Sequence, residues 1–230
     1  MKKGLLFIAL FSSYFIQAQF GIVQDEDGFV NVRDEQSTSS KILTRVNSNT
    51  VLPIFEEEDE GLESSKWFLV EYKTEASGYI YKDRIKKIED FEHIKPTKSS
   101  DNLIEFSISD YNIEIQTQKF NSKNHKIHQE NNFIYAIDGK EFLGSDGILP
   151  QTEYKSFKIN FKGKEIIIPK DNYTNLYNAN LDKMKLTYNK ALSQYYLFGT
   201  FSDGAGVYDA IWVLENGKIV KHIAQINFYA

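Results

Sequence analysis

Residues 28–34 read Gly28-Phe29-Val30-Asn31-Val32-Arg33-Asp34 and are followed by a polar turn, Ser37 to Ser40, and a short apolar stretch at Lys41-Ile42-Leu43. Val30 and Val32 share one side of an extended chain and Asn31 and Arg33 the other, the period-two pattern of a strand with one face buried. Gly28 and the polar cluster are the breaks on either side. Working outward, Val51 to Phe55, Trp67 to Tyr72 and Tyr79 to Tyr81 are again short and rich in β-branched and aromatic residues. Polar stretches separate them, at Glu56 to Ser65 and Lys73 to Ser77, and no sustained helical period intervenes. Short strands at this spacing predict a small β-barrel. Its interior should take Val30, Val32, Ile42, Val51, Phe68, Val70 and Ile80.

Three motifs recur in a fixed order along this stretch: Asn31-Val32-Arg33, then Trp67-Phe68-Leu69-Val70, then Gly78-Tyr79-Ile80-Tyr81-Lys82-Asp83-Arg84-Ile85. That order resembles the bacterial SH3 (SH3b) family over residues 21–88, about a third of the chain, within a unit placed at 20–92. The sequence departs from the family at Asn49, where members usually carry Gly, and in the long acidic segment Glu56 to Ser65. What the resemblance implies is a binding module that engages peptidoglycan peptide, or a protein partner of the envelope, in a groove between loops. The candidate ligand-binding residues are Trp67, Tyr79 and Tyr81, whose flat rings can pack on a peptide or sugar, together with Arg33. Arg33 has a second reading, as a side chain that ties the polar turn.

The N-terminus supplies an address. Met1-Lys2-Lys3 is a short positive start, Gly4 to Ile16 is uncharged and largely apolar, and Gln17-Ala18 ends it on a small residue. These are the three parts of a signal peptide, placed at residues 1–18 with cleavage after Ala18. The apolar stretch is shorter than the roughly 20 residues a membrane-spanning helix needs, so no transmembrane anchor is expected. No Cys follows it that could be lipidated. The expected location is therefore periplasmic or secreted.

The chain beyond the first unit reads as a linker, 93–102, and then a second antiparallel β domain, 103–230, for which no family suggests itself. Longer apolar strands flank Asp138-Gly139, Lys162-Gly163 and Asn216-Gly217, dipeptides that favour tight hairpins. Any helix would fall within Asp171 to Leu192. The formal charge of −5 is unevenly spread: residues 20–92 carry a net −8 and residues 93–230 a net +1. An acidic first unit disfavours nucleic acid, whose phosphates are neutralised by Lys and Arg. All three arginines, Arg33, Arg45 and Arg84, lie in the first unit.

Searches for catalytic chemistry return little. The chain has no Cys and 4 His, which leaves out cysteine hydrolases and makes a structural zinc site an unlikely design. His125 and His128 lie in an Asn/Lys-rich stretch and read as a surface pair. Two Ser-Asp-Gly turns, at Ser145-Asp146-Gly147 and Ser202-Asp203-Gly204, read first as turn chemistry. If they meet, Asp146 and Asp203 form a carboxylate pair of the kind an envelope hydrolase or a cation site uses. The main reading is an exported, mainly β, non-catalytic binding or scaffold protein with no cofactor, no metal and no catalytic residue. An inhibitor or immunity protein of a wall-degrading enzyme is the alternative, and an Asp146/Asp203 hydrolase a further one.

Overall fold

The computed structural model describes residues 19–56, 65–108 and 110–227. The expected signal peptide and most of the acidic segment, 57–64, lie outside the described residues. The fold is mainly β, and among the described residues there is no α-helix.

Seven strands form the first unit: β1 (Gln19–Val23), β2 (Phe29–Arg33), β3 (Ile42–Asn47), β4 (Val51–Phe55), β5 (Trp67–Lys73), β6 (Ala76–Tyr81) and β7 (Ile85–Lys87). They make one antiparallel sheet in the order β3-β2-β6-β5-β4-β1-β7. Every one of these strands contributes to a single core, from Val23 on β1 through Val30, Val46, Leu52, Phe68 and Ile80 to Ile85 on β7. The sheet must wrap around that core, yet its hydrogen bonding runs from β3 to β7 without closing, so the small barrel is an open one. Gly78 shows why its motif needs glycine. A Cβ there would stand 2.6 Å from a Val32 methyl and 2.7 Å from the Arg33 carbonyl, which would push β6 off β2. Asn49 occupies the turn before β4 with φ +68°, a left-handed conformation that Asn tolerates better than most side chains.

Two expected core residues sit elsewhere. Ile42 is exposed, because a bulge between Val32 and Arg33 shifts the register of β2 against β3 and leaves only Val46 of β3 buried. Val51 is buried, but against the second unit rather than inside the first.

The second unit opens within the stretch read as a linker. Residues 92–94 form β8 (Glu92–Ile94) and residues 98–100 form β9 (Lys98–Ser100). There follow β10 (Leu103–Ile108), β11 (Tyr111–Lys119), β12 (Ile127–Glu130), β13 (Phe133–Ile137), β14 (Thr152–Phe161), β15 (Lys164–Ile166), β16 (Lys185–Asn189), β17 (Gln194–Phe201), β18 (Tyr208–Glu215) and β19 (Lys218–Ile226). Two five-stranded sheets, β15-β14-β11-β10-β9 and β19-β18-β17-β16-β8, enclose a large shared core, with β12 and β13 as a separate hairpin. Phe106, Ile113, Phe157 and Ile159 of one sheet meet Leu186, Leu197, Phe201 and Trp212 of the other. The arrangement is a sandwich.

The Lys162-Gly163 and Asn216-Gly217 turns join β14 to β15 and β18 to β19, with φ positive at both residues of each pair. Asp138-Gly139 also turns, but β13 pairs with the preceding β12, and after the turn only Lys140 bridges back to Ile137. Between Asp171 and Leu192 there are single 3-10 turns instead of a helix.

The outer face of β17 and β18 is also covered. Tyr196, Phe198, Ile211 and Val213 pack with Phe20, Ile22, Val51, Ile88 and Phe91 of the first unit. A buried hydrogen bond from Thr187 Oγ1 to the Ile88 carbonyl (3.1 Å) and one from Lys221 Nζ to the Val51 carbonyl (2.7 Å) fasten the joint. β18 therefore has seven consecutive buried residues, the pattern of a strand covered on both faces.

Candidate functional site

The first unit makes a cleft of about 520 Å3. β2 and β3 bring Phe29, Arg33 and Arg45 to it, β5 and β6 bring Trp67 and Tyr81, and the 3-10 turn after β6 brings Arg84. Trp67 and Tyr81 are directly opposed across the β5–β6 ladder, with ring centroids 5.2 Å apart at 89°. Their alternation with buried Phe68 and Ile80 turns both rings outward. Tyr79 shares their side of β6 and pairs with Arg33 in the ladder, but it does not line the cleft.

All three arginines of the chain line this one cleft. Arg84 is committed: its guanidinium bonds Asp25 at 2.7 Å and Asp83 at 3.2 Å, and the Asp25 hydrogen bond leads the effects holding its proton more tightly than usual. Arg33 does tie the polar turn, donating to the Ser40 carbonyl at 2.7 Å. Arg45 lies 4.6 Å over the Phe29 ring, a cation–π contact that leaves the guanidinium edge open. Among the described residues neither Arg33 nor Arg45 has a carboxylate partner. Asp25, Asp27 and Asp83 line the same cleft, so it offers both signs of charge beside two aromatic rings. A peptide with a carboxylate and an amine meets that pattern; a uniformly anionic polymer does not.

The two Ser-Asp-Gly turns do come together, through main chain. Ser202 Oγ donates to the Gly144 carbonyl at 2.8 Å, Asn178 Nδ2 donates to the same oxygen at 2.6 Å, and Gly206 lies against the Ser145 backbone. Asp146 and Asp203 are exposed, and no hydrogen bond or ion pair of either is seen among the described residues. No group of three potential metal-ligating side chains occurs among the described residues either.

His125 has more order than a surface pair would. Its ring is stacked on Phe120 (4.8 Å, 19°), with Nδ1 2.7 Å from Asp138 and Nε2 2.6 Å from Glu153. Burial opposes its charge, but the hydrogen bonds to the two carboxylates outweigh that and raise its pKa. With both nitrogens engaged, the ring is a clamp between the β12–β13 hairpin and β14, and has no free lone pair for base chemistry. No local signal could reveal it, since Asp138 and Glu153 are 13 and 28 residues away.

Residues 28–86 match the family model of the bacterial SH3 domain, so the first unit is a bacterial SH3 domain. No curated protein and no solved structure matches the chain. No helix among the described residues is long and apolar enough to cross a membrane.

Proposed function

We propose that the chain is an exported, non-catalytic binding protein of the bacterial envelope whose SH3 domain holds peptidoglycan stem peptide. The observation that carries this is the convergence of Arg33, Arg45 and Arg84 with Trp67 and Tyr81 on one cleft. Arg33 and Arg45, which have no carboxylate partner among the described residues, suit a peptide carboxylate, for which Arg offers a bidentate fork. The aromatic pair, set edge to face, supplies two apolar ring surfaces at right angles, and Asp27 and Asp83 suit the amines of the same peptide. The net −8 of the first unit favours such a zwitterionic ligand over anionic wall polymers. A protein partner of the envelope would need the same complementary ends.

Co-sedimentation of the mature chain with purified, polymer-free peptidoglycan tests the reading. Retention at physiological salt, reduced at least tenfold in a Trp67→Ala, Arg45→Ala double variant, is expected. No retention, or retention that the double variant leaves unchanged, overturns it.

A further inference from the structure

Where the SH3 domain and the β8–β19 sheet meet, they do not seal completely. A cavity of about 320 Å3 remains, lined by Gln19, Phe20 and Glu89 on one side and by Phe198, Thr200 and Asp209 on the other. Side chains alternate along a strand. Asp209 therefore projects on the side of β18 that carries Ile211 and Val213, and Thr200 on the side of β17 that carries Tyr196 and Phe198. Thr200 and Asp209 are opposed in the β17–β18 register, both facing the SH3 domain.

Asp209 is 1% exposed. Its carboxyl meets only neutral donors, the Thr200 hydroxyl and the Asn227 amide, and burial outweighs both, pushing it up to about 7. Lys183 and Lys185 line the same cavity, but Lys185 is directed to Glu89 at 3.7 Å and neither lysine pairs with Asp209. A buried carboxylate with no cation is costly once it ionises. Packing alone would be served by an apolar residue. A second polar atom on the cavity wall is also unmet: Gln19 Oε1 is buried and accepts no hydrogen bond among the described residues. An anion and a carbonyl acceptor beside open volume ask for one donor type, a compact cation with several N–H bonds.

We infer that this cavity is a site for a primary ammonium group, with Asp209 as its anion, Thr200 holding the carboxylate in place, and Phe20 and Phe198 screening it from water. Two sources carry that group. Cleavage after Ala18 would create the α-ammonium of Gln19 on the wall of the cavity itself, and this source rests on the export reading. A small soluble amine is the other source and needs no cleavage.

The test compares the chain beginning at Gln19 in two forms, amine free and amine acetylated, at pH 8, with propylammonium as the soluble probe and propanol as its neutral control. If the terminus is the source, its amine titrates above the ordinary value of about 8 by roughly one unit, a tenfold gain in proton affinity. Asp209→Asn removes that gain, and propylammonium binds only the acetylated form. If a soluble amine is the source, propylammonium binds both forms saturably, Asp209→Asn weakens it at least tenfold, and propanol does not bind. An ordinary amine titration together with no saturable propylammonium binding to either form overturns the proposal, as does equal binding to Asp209→Asn. Should Asp209→Asn fail to fold, the amine titration and the acetylated wild-type chain decide alone.

Discussion

Ile211 belongs to β18 of the sandwich, yet its side chain packs against Phe20, Ile22 and Phe91 from the SH3 side and is 0% exposed. Ile211→Ala should therefore destabilise a unit of which the residue is not a part. Buried Ile→Ala changes cost about 2–5 kcal/mol, depending on how far the site collapses. The joint is flanked by the Thr187 and Lys221 hydrogen bonds, which oppose collapse, so about 3 kcal/mol is the working value. For a chain of this size each kcal/mol lowers Tm by roughly 2–4 °C, which gives a fall of about 6–12 °C. The chain has 2 Trp, and Trp67 lies in the SH3 domain while Trp212 lies in the sandwich core. Trp67→Phe and Trp212→Phe variants thus make separate fluorescence reporters of the two units. In the parent both reporters should melt together, and Ile211→Ala should shift both. Ile113→Ala, inside the sandwich and away from the joint, is the control for global stability. A Trp67 transition that stays in place while the Trp212 transition falls would refute the idea that the joint couples the units.

Three further outcomes follow from particular contacts. Thr187→Val should cost about 0.5–1.5 kcal/mol in thermal unfolding, because the Ile88 carbonyl loses its hydroxyl donor and keeps only the longer bond from the Phe91 N–H at 3.4 Å. Gly144→Ala should be among the most damaging single changes, detected as loss of soluble folded protein: φ is +98°, and a Cβ would stand 2.0 Å from the Tyr177 carbonyl oxygen. For His125 the sign runs with the raised folded pKa. Its stabilisation is complete below the unfolded value of 6.5 and is lost as pH rises through the higher folded value. Hydrogen exchange of β12–β13 amides should accelerate over that window beyond the intrinsic rate, and His125→Gln should flatten the dependence. The size should be about 1 kcal/mol, since the Asp138 side chain is 51% exposed.

The SH3 domain was legible because its information is local. The period-two strands and the turn residues lie within a few positions of one another, and Gly78 is demanded by contact with the motif's own Arg33. The sandwich was legible only as strands and turns. Which strands share a sheet depends on long-range pairing, so the expected linker could not reveal that Glu92–Ile94 completes a sheet with residues 186–188. One signal of the joint is present in the sequence: Ala210 to Leu214 is a continuous apolar run where an ordinary antiparallel strand would alternate, and that run reflects burial on both faces. The site divides the same way. Trp67, Tyr81 and Arg33 followed from the motif, whereas Arg45 and Arg84 join them only through the fold. Asp209, a carboxylate at the start of that apolar run, was visible in the sequence, but the cavity that gives it meaning lies between two units.

The docked arrangement changes what the SH3 domain can do. The β1–β4 part of its sheet, through Phe20, Ile22 and Val51, is buried against β17 and β18. The cleft with Trp67, Tyr81 and the arginines is formed by β2, β3, β5 and β6. Docking and the proposed ligand cleft thus use different strands of the domain. A freely tethered module would have to order its partner domain on each encounter, at an entropic cost that lowers affinity for any ligand touching both. Here the apolar joint and the β8–β16 pairing hold the cleft at a set orientation to the sandwich. A ligand held as proposed would therefore meet the rest of the chain in one geometry. On the proposed function, loosening the joint with Ile211→Ala should leave binding of a short stem peptide intact below the new Tm, because Ile211 does not line the cleft. It should weaken only ligands long enough to reach the sandwich, and equal weakening of both would show that the cleft's shape depends on the joint.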